Sequence, residues 1–184
     1  VARFNEIFRI LAGKTFNMSR ILLSAAFVLW AVSSFSQTFY IVRHAEKATQ
    51  EPNMSSDVPL SNAGKQRADA LKDLLKDKKI THIYSTNTIR TKTTAMPTAD
   101  YFKLSTEVYG PRPDSAFISL LKTLKGNTLI VGHSNTVDDI VNMLCGRSEI
   151  PADLPETEYD NLFIVTKTGN SFTFARSAYN KPAD

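Results

Sequence analysis

Two periodicities alternate along the chain. Short runs of β-branched and aromatic residues, bounded by turn formers, occur at residues 38–43 (TFYIVR), 80–84 (ITHIY) and 127–131 (NTLIV), and each reads as a buried strand. Between and after them apolar residues recur at helical spacing. Ala68, Leu71, Leu74 and Leu75 follow the N-cap candidate Ser61, and Phe117, Leu120, Leu121 and Leu124 follow Asp114. A third stripe, Val137, Ile140, Val141 and Leu144, ends at Gly146. Residues 161–166 and 171–176 form two further strands around Lys167-Thr168-Gly169-Asn170, the signature of a hairpin. The alternation predicts an α/β fold: a three-layer α/β/α sandwich with a mainly parallel central sheet and an antiparallel element at its end.

The N-terminal region departs from this pattern. Met18-Ser19-Arg20, the apolar run Ile21 to Val32 and Ser33-Ser34-Phe35-Ser36 have the order of a signal peptide over residues 18–36, with Gln37 as the expected mature N-terminus. The apolar run falls short of the roughly 20 residues that span a bilayer. Residues 1–17 precede a methionine that opens a better signal sequence; they read as an over-extended start with no fold assigned. Residues 37–184 then form a single domain, expected in the periplasm or outside the cell, with no stable membrane association after processing.

Charge follows the same division. Of 22 basic and 18 acidic residues, four basic and one acidic precede residue 37, which leaves the remainder near neutrality. The basic character belongs mainly to the leader, so a nucleic-acid partner is not expected. The single cysteine, Cys145, excludes an intramolecular disulfide and a cysteine-built zinc site.

Two of the three histidines stand in matching places. His44 ends Tyr40-Ile41-Val42-Arg43-His44, and His133 ends Leu129-Ile130-Val131-Gly132-His133. Each follows a buried strand directly, so in a parallel sheet both emerge at the carboxyl edge, where open α/β folds bind ligands. Arg43 adjoins the first histidine, and Arg90 follows a third strand. Guanidinium groups stay charged and present a planar fork suited to phosphate oxygens, so the set describes a phosphate pocket. A metal centre built on His44, Glu46, His133 and Asp138 is the rival reading. Two fixed positive charges oppose a divalent cation while favouring a dianion.

At these residues the chain resembles the histidine phosphatase superfamily, which includes the cofactor-dependent phosphoglycerate mutases. The resemblance spans roughly residues 38–166 and rests on four motifs in the family's order: Val42 to Lys47, Pro59 to Ala68, Tyr84-Ser85 through Arg90 to Ala95, and Val131 to Thr136. Ala45 stands where a glycine is common. The resemblance implies a phosphoglycerate mutase-like fold and attack by His44 on phosphorus, with Arg43, Arg90 and His133 holding the equatorial oxygens. It implies no cofactor, and a phosphorylated small molecule or phosphoprotein as substrate. For the general acid the match weakens: Glu107, Asp114 and Glu46 are the candidates, and some small members lack a dedicated acid. The expected function is a metal-independent phosphohydrolase acting on phosphomonoesters or phosphoramidates. The alternatives are a binding module without turnover and a mutase-type phosphotransferase.

Overall fold

The computed structural model describes residues 36–49 and 57–179; the expected signal peptide, apart from Ser36, lies outside them. Among the described residues six strands and four helices follow one another as β1 (Ser36–Arg43), α1 (Asn62–Leu75), β2 (Ile80–Ser85), α2 (Ile89–Phe102), β3 (Thr106–Val108), α3 (Ser115–Thr123), β4 (Asn127–Gly132), α4 (Val137–Cys145), β5 (Asn161–Thr168) and β6 (Ser171–Ala178). The strands form one sheet in the order β3-β2-β4-β1-β5-β6. The first four in the chain run parallel, and β5 and β6 are antiparallel additions beside β1. This is the expected mainly parallel sheet with an antiparallel end.

Strand β1 shows why the sheet needs cover on both sides. Phe39 and Ile41 pack with Phe117, Leu121, Ile140 and Leu144 from α3 and α4. Tyr40 and Val42 point the other way and pack with Leu71 and Leu75 of α1 and Ala95 and Ala99 of α2. Successive side chains alternate across a strand, so a strand apolar on both faces must lie between two helical layers. Burying each such side chain contributes about 2 kcal/mol.

The helices begin and end where the local chemistry directs. Ser61 Oγ accepts from Gly64 N at 3.0 Å and Asp114 Oδ1 from Phe117 N at 2.8 Å, which caps α1 and α3. Gly146, at φ +67°, ends α4 in the left-handed conformation. Two members of the expected apolar stripes turn outward: Leu74 and Leu120 are 40% and 44% exposed. The buried face of α1 is Ala68, Leu71 and Leu75, and α3 buries Ile118 rather than Leu120. Each displaced leucine lies one position from a buried neighbour, about 100° around the helix and so at the edge of the apolar stripe.

Two glycines let elements approach closely near the carboxyl edge. A Cβ on Gly64 would stand 2.3 Å from the Glu46 carbonyl oxygen, so its absence allows α1 to lie against the turn after β1. At Gly132 the same atom would meet Tyr109 Oη at 2.8 Å and Thr136 Oγ1 at 2.9 Å.

Candidate active site

Parallel register brings the two histidines together. Arg43 on β1 pairs with Gly132 on β4, so the next residues, His44 and His133, leave the sheet side by side. Their ring centroids lie 5.4 Å apart. The adjacent β2 ends at Ser85, and the turn after it leads into α2, whose second residue is Arg90. Arg43, His44, Arg90 and His133 line one polar, solvent-open cavity of about 540 Å³, together with Lys47, Pro111, Ser134, Asn135, Asp153, Leu154 and Glu156. The four residues singled out from the sequence therefore share a pocket at the carboxyl edge.

The imidazole of His44 is 3% exposed and held in one orientation. Its Nδ1 lies 2.8 Å from the Ala45 carbonyl oxygen. A carbonyl only accepts, so Nδ1 carries the proton and Nε2 of the neutral ring keeps its lone pair. Burial, aided by the charges of Arg43 and Arg90, lowers the His44 pKa to about 3. Burial and the same two guanidinium groups lower that of His133 to about 4. His133 Nε2 lies 2.8 Å from Thr86 Oγ1, which donates onward to Thr91 Oγ1 at 3.1 Å, so threonines of the turn into α2 orient the second ring.

The two arginines are positioned differently. Arg90 lies in the first turn of α2, where Asp57 accepts from the Ile89 amide with both carboxylate oxygens at 3.0 Å and from Arg90 Nη1 at 3.4 Å. Arg43 is almost fully buried and clamped by the segment before β5. Its Nη1 donates to the carbonyls of Pro155 and Glu158 at 2.9 and 3.2 Å, and its Nη2 to Glu156 Oε2 at 2.7 Å. The Tyr159 ring lies 4.2 Å from the guanidinium carbon. The buried Nε atoms of both arginines meet no acceptor among the described residues.

The three acid candidates lie elsewhere. Glu46 grips Arg67 with both oxygens, at 2.6–3.0 Å. Asp114 caps α3, and Glu107 sits on the edge strand β3 opposite Tyr84. None lines the cavity; Asp153 and Glu156 do. The carboxylates of the rival metal reading are similarly dispersed: Glu46 is committed to Arg67, and the buried Asp138 lies in the first turn of α4, outside the cavity lining.

Residues 153–159 carry no motif or periodic pattern in the sequence, yet the sheet order supplies a signal. A strand antiparallel to β1 begins where β1 ends, and β5 pairs Leu162 with Val42. The chain entering β5 must therefore cross the same edge as His44. Ser134 and Asn135 of the fourth motif and Lys47 of the first also line the cavity.

Fold and pocket together define an α/β protein with two neutral histidines and two arginines opening on one polar cavity at a sheet edge. Residues 39–110 match the model of the histidine phosphatase superfamily, branch 1. Solved structures with this fold include the protein histidine phosphatase SixA complexed with tungstate, at 22% identity and TM-score 0.62 over 77% of this chain and 96% of that one. Phosphoglycerate mutase from Bacillus anthracis str. Sterne aligns at 16% and 0.56 over 78% and 93%. Mycobacterial glucosyl-3-phosphoglycerate phosphatase aligns at 12% and 0.58 over 79% and 99%. At these identities the structural likeness is one of fold. No curated protein sequence matches the chain significantly. The family model covers residues 39–110, which hold Arg43, His44 and Arg90, and the chain shares the fold of these solved structures.

Proposed function

We propose that the protein is a metal-independent phosphohydrolase that acts on phosphomonoesters or phosphoramidates through a phosphohistidine on His44. The observation that carries this reading is the state of His44: a buried, neutral ring with Nδ1 bonded to the Ala45 carbonyl, opening beside two arginines. Nε2 attacks phosphorus, and the bond from phosphorus to the leaving oxygen or nitrogen breaks. The leaving group takes a proton from solvent or departs with one it already carries. Water then attacks the phosphohistidine, yielding inorganic phosphate and restoring the ring.

Arg43 and Arg90 neutralise charge on the transferring group, and their partnerless Nε atoms are donors that phosphoryl oxygens would satisfy. His133 borders the same volume. One fold neighbour is a complex with tungstate, a tetrahedral oxyanion, which is in keeping with an oxyanion ligand for this fold. An open cavity favours hydrolysis over mutase transfer, because a mutase must keep water from its phosphohistidine. Export belongs to the same reading: a chain beginning at Gln37 keeps all of β1 except Ser36.

Phosphate release from para-nitrophenyl phosphate in the presence of EDTA tests the reading. Wild type should turn over and accumulate an acid-labile phosphate on His44 in quenched samples analysed by mass spectrometry. His44→Ala should lose at least about a thousandfold in kcat, as nucleophile removal does. Tight phosphate binding without turnover by wild type would instead make the protein a binding module.

A further inference from the structure

The cavity has two ends of different charge. Its floor is cationic: the Arg43 and Arg90 side chains are 2% and 19% exposed, with Asp57 bonded to the latter. Its mouth is not. The Glu156 side chain is 68% exposed, Lys47 is 42% exposed, and Asp153 is exposed beside them. Among the described residues, two carboxylates thus face one ammonium at the mouth.

Glu156 is also fixed in place. Its Oε1 accepts from Ser134 Oγ at 2.9 Å, its Oε2 from Arg43 Nη2 at 2.7 Å, and Lys47 Nζ lies 3.9 Å away. The Ser134 hydrogen bond, with Arg43 and Lys47, holds its pKa below the ordinary carboxylate value. A carboxylate kept ionised is a poor proton donor near pH 7. Its charge nevertheless acts on whatever passes it. In any substrate of this cavity the phosphoryl group goes to the arginines, and the rest of the molecule is the leaving group, which extends through the mouth.

Resting on the phosphohydrolase reading, we propose that Glu156, assisted by Asp153, makes the site selective for phosphorylated substrates whose leaving group is cationic. Substrates whose leaving group carries further negative charge are disfavoured. The same class suits a pocket in which Glu156, the lining carboxylate bonded to Arg43, is held ionised. A protonated nitrogen leaving group brings its own proton and departs as the neutral amine or imidazole. Glu156 is a specificity determinant in this account, acting through space on the leaving group.

Two aryl phosphates on one scaffold test it, one bearing a trimethylammonium substituent and the other a carboxylate. The readout is the ratio of their kcat/KM values, measured for wild type, Glu156→Lys and Glu156→Asp. Intrinsic reactivity cancels when ratios are compared between variants, and so does any common loss from disturbing Arg43. Glu156→Lys should shift the ratio about tenfold toward the carboxylate substrate at low salt, and Glu156→Asp should leave it within about twofold of wild type. The shift should shrink as ionic strength rises. Asp153→Asn should move the ratio the same way by less. A ratio within twofold of wild type in both Glu156→Lys and Asp153→Asn would overturn the proposal, as would a salt-independent shift. Failure of wild type to hydrolyse both compounds and a simple phosphoramidate as well would overturn the phosphohydrolase reading itself.

Discussion

The floor and the mouth of the cavity are built by different means. His44, Arg90 and His133 follow parallel strands or open the helix after one, so sheet register sets their spacing. Residues 153–159 reach the same cavity on a connecting segment, held by hydrogen bonds to Arg43 and Ser134. On the proposed reading, regular elements fix the end that takes the phosphoryl group, and a loop fixes the end that meets the leaving group. That division lets one scaffold keep its reaction while its leaving-group preference changes.

The largest effect that would break this comparison concerns Arg90. As a floor residue it supplies a planar fork, so Arg90→Lys should lower kcat/KM on one phosphomonoester by on the order of a hundredfold despite keeping the charge. Vanadate inhibition should weaken with it. A variant within threefold of wild type on both measures would remove Arg90 from the floor.

In the pH dependence the contrast at stake is about tenfold. An imidazole with its ordinary pKa of 6.5 would be about nine-tenths protonated at pH 5.5, which costs a nucleophile about tenfold in rate. The His44 pKa is lowered to about 3, so the folded protein keeps this ring neutral through this range. After correction for the substrate's own ionisation near pH 6, kcat/KM should fall less than about twofold between pH 7 and 5.5. Stability has the opposite sensitivity. Below pH 6.5 the unfolded chain takes up protons that folded His44 and His133 refuse, so stability falls as pH falls from 7 toward 4. His44→Ala should show a smaller drop in Tm over that interval than wild type. An acid limb near pH 6.5 in the corrected profile would contradict the buried, neutral floor.

Legibility in the sequence follows the same division. The strands showed because β1, β2 and β4 are apolar on both faces, and the histidines because each ends such a run. Helix α2 shows no apolar stripe in the sequence: it carries Thr91, Thr93, Thr94 and Thr98 and an internal Pro97, all poor helix formers. It forms because Thr91, Thr94, Ala95, Thr98 and Ala99 bury against the sheet and α1, a tertiary gain that propensity does not register. The acid candidates Glu46, Glu107 and Asp114 were chosen by position in the chain. An acidic side chain's partner, such as Arg67 for Glu46 across 21 positions, is set by packing rather than by local spacing. Glu156 and Tyr159 carry no periodic signal, and only the antiparallel sense of β5 ties them to the site.

The smallest effect tests where the loop and the floor meet. Tyr159 belongs to the segment entering β5, yet its ring lies 4.2 Å from the Arg43 guanidinium carbon and 6.1 Å from the centre of the His44 ring. A cation over an aromatic face contributes about 0.5–1 kcal/mol at a partly exposed site. Tyr159→Leu keeps an apolar side chain but removes that face, so kcat/KM should fall about two- to fivefold. Tyr159→Phe keeps the face and should stay near wild type. The pair separates a positioning role from general packing, because a packing defect would lower Tm in proportion to the lost activity, whereas misplacement of Arg43 lowers kcat with little change in Tm. If Leu and Phe variants are equally active, the loop holds Arg43 through Glu156 and the carbonyls of Pro155 and Glu158 alone, and the contact between mouth and floor is polar.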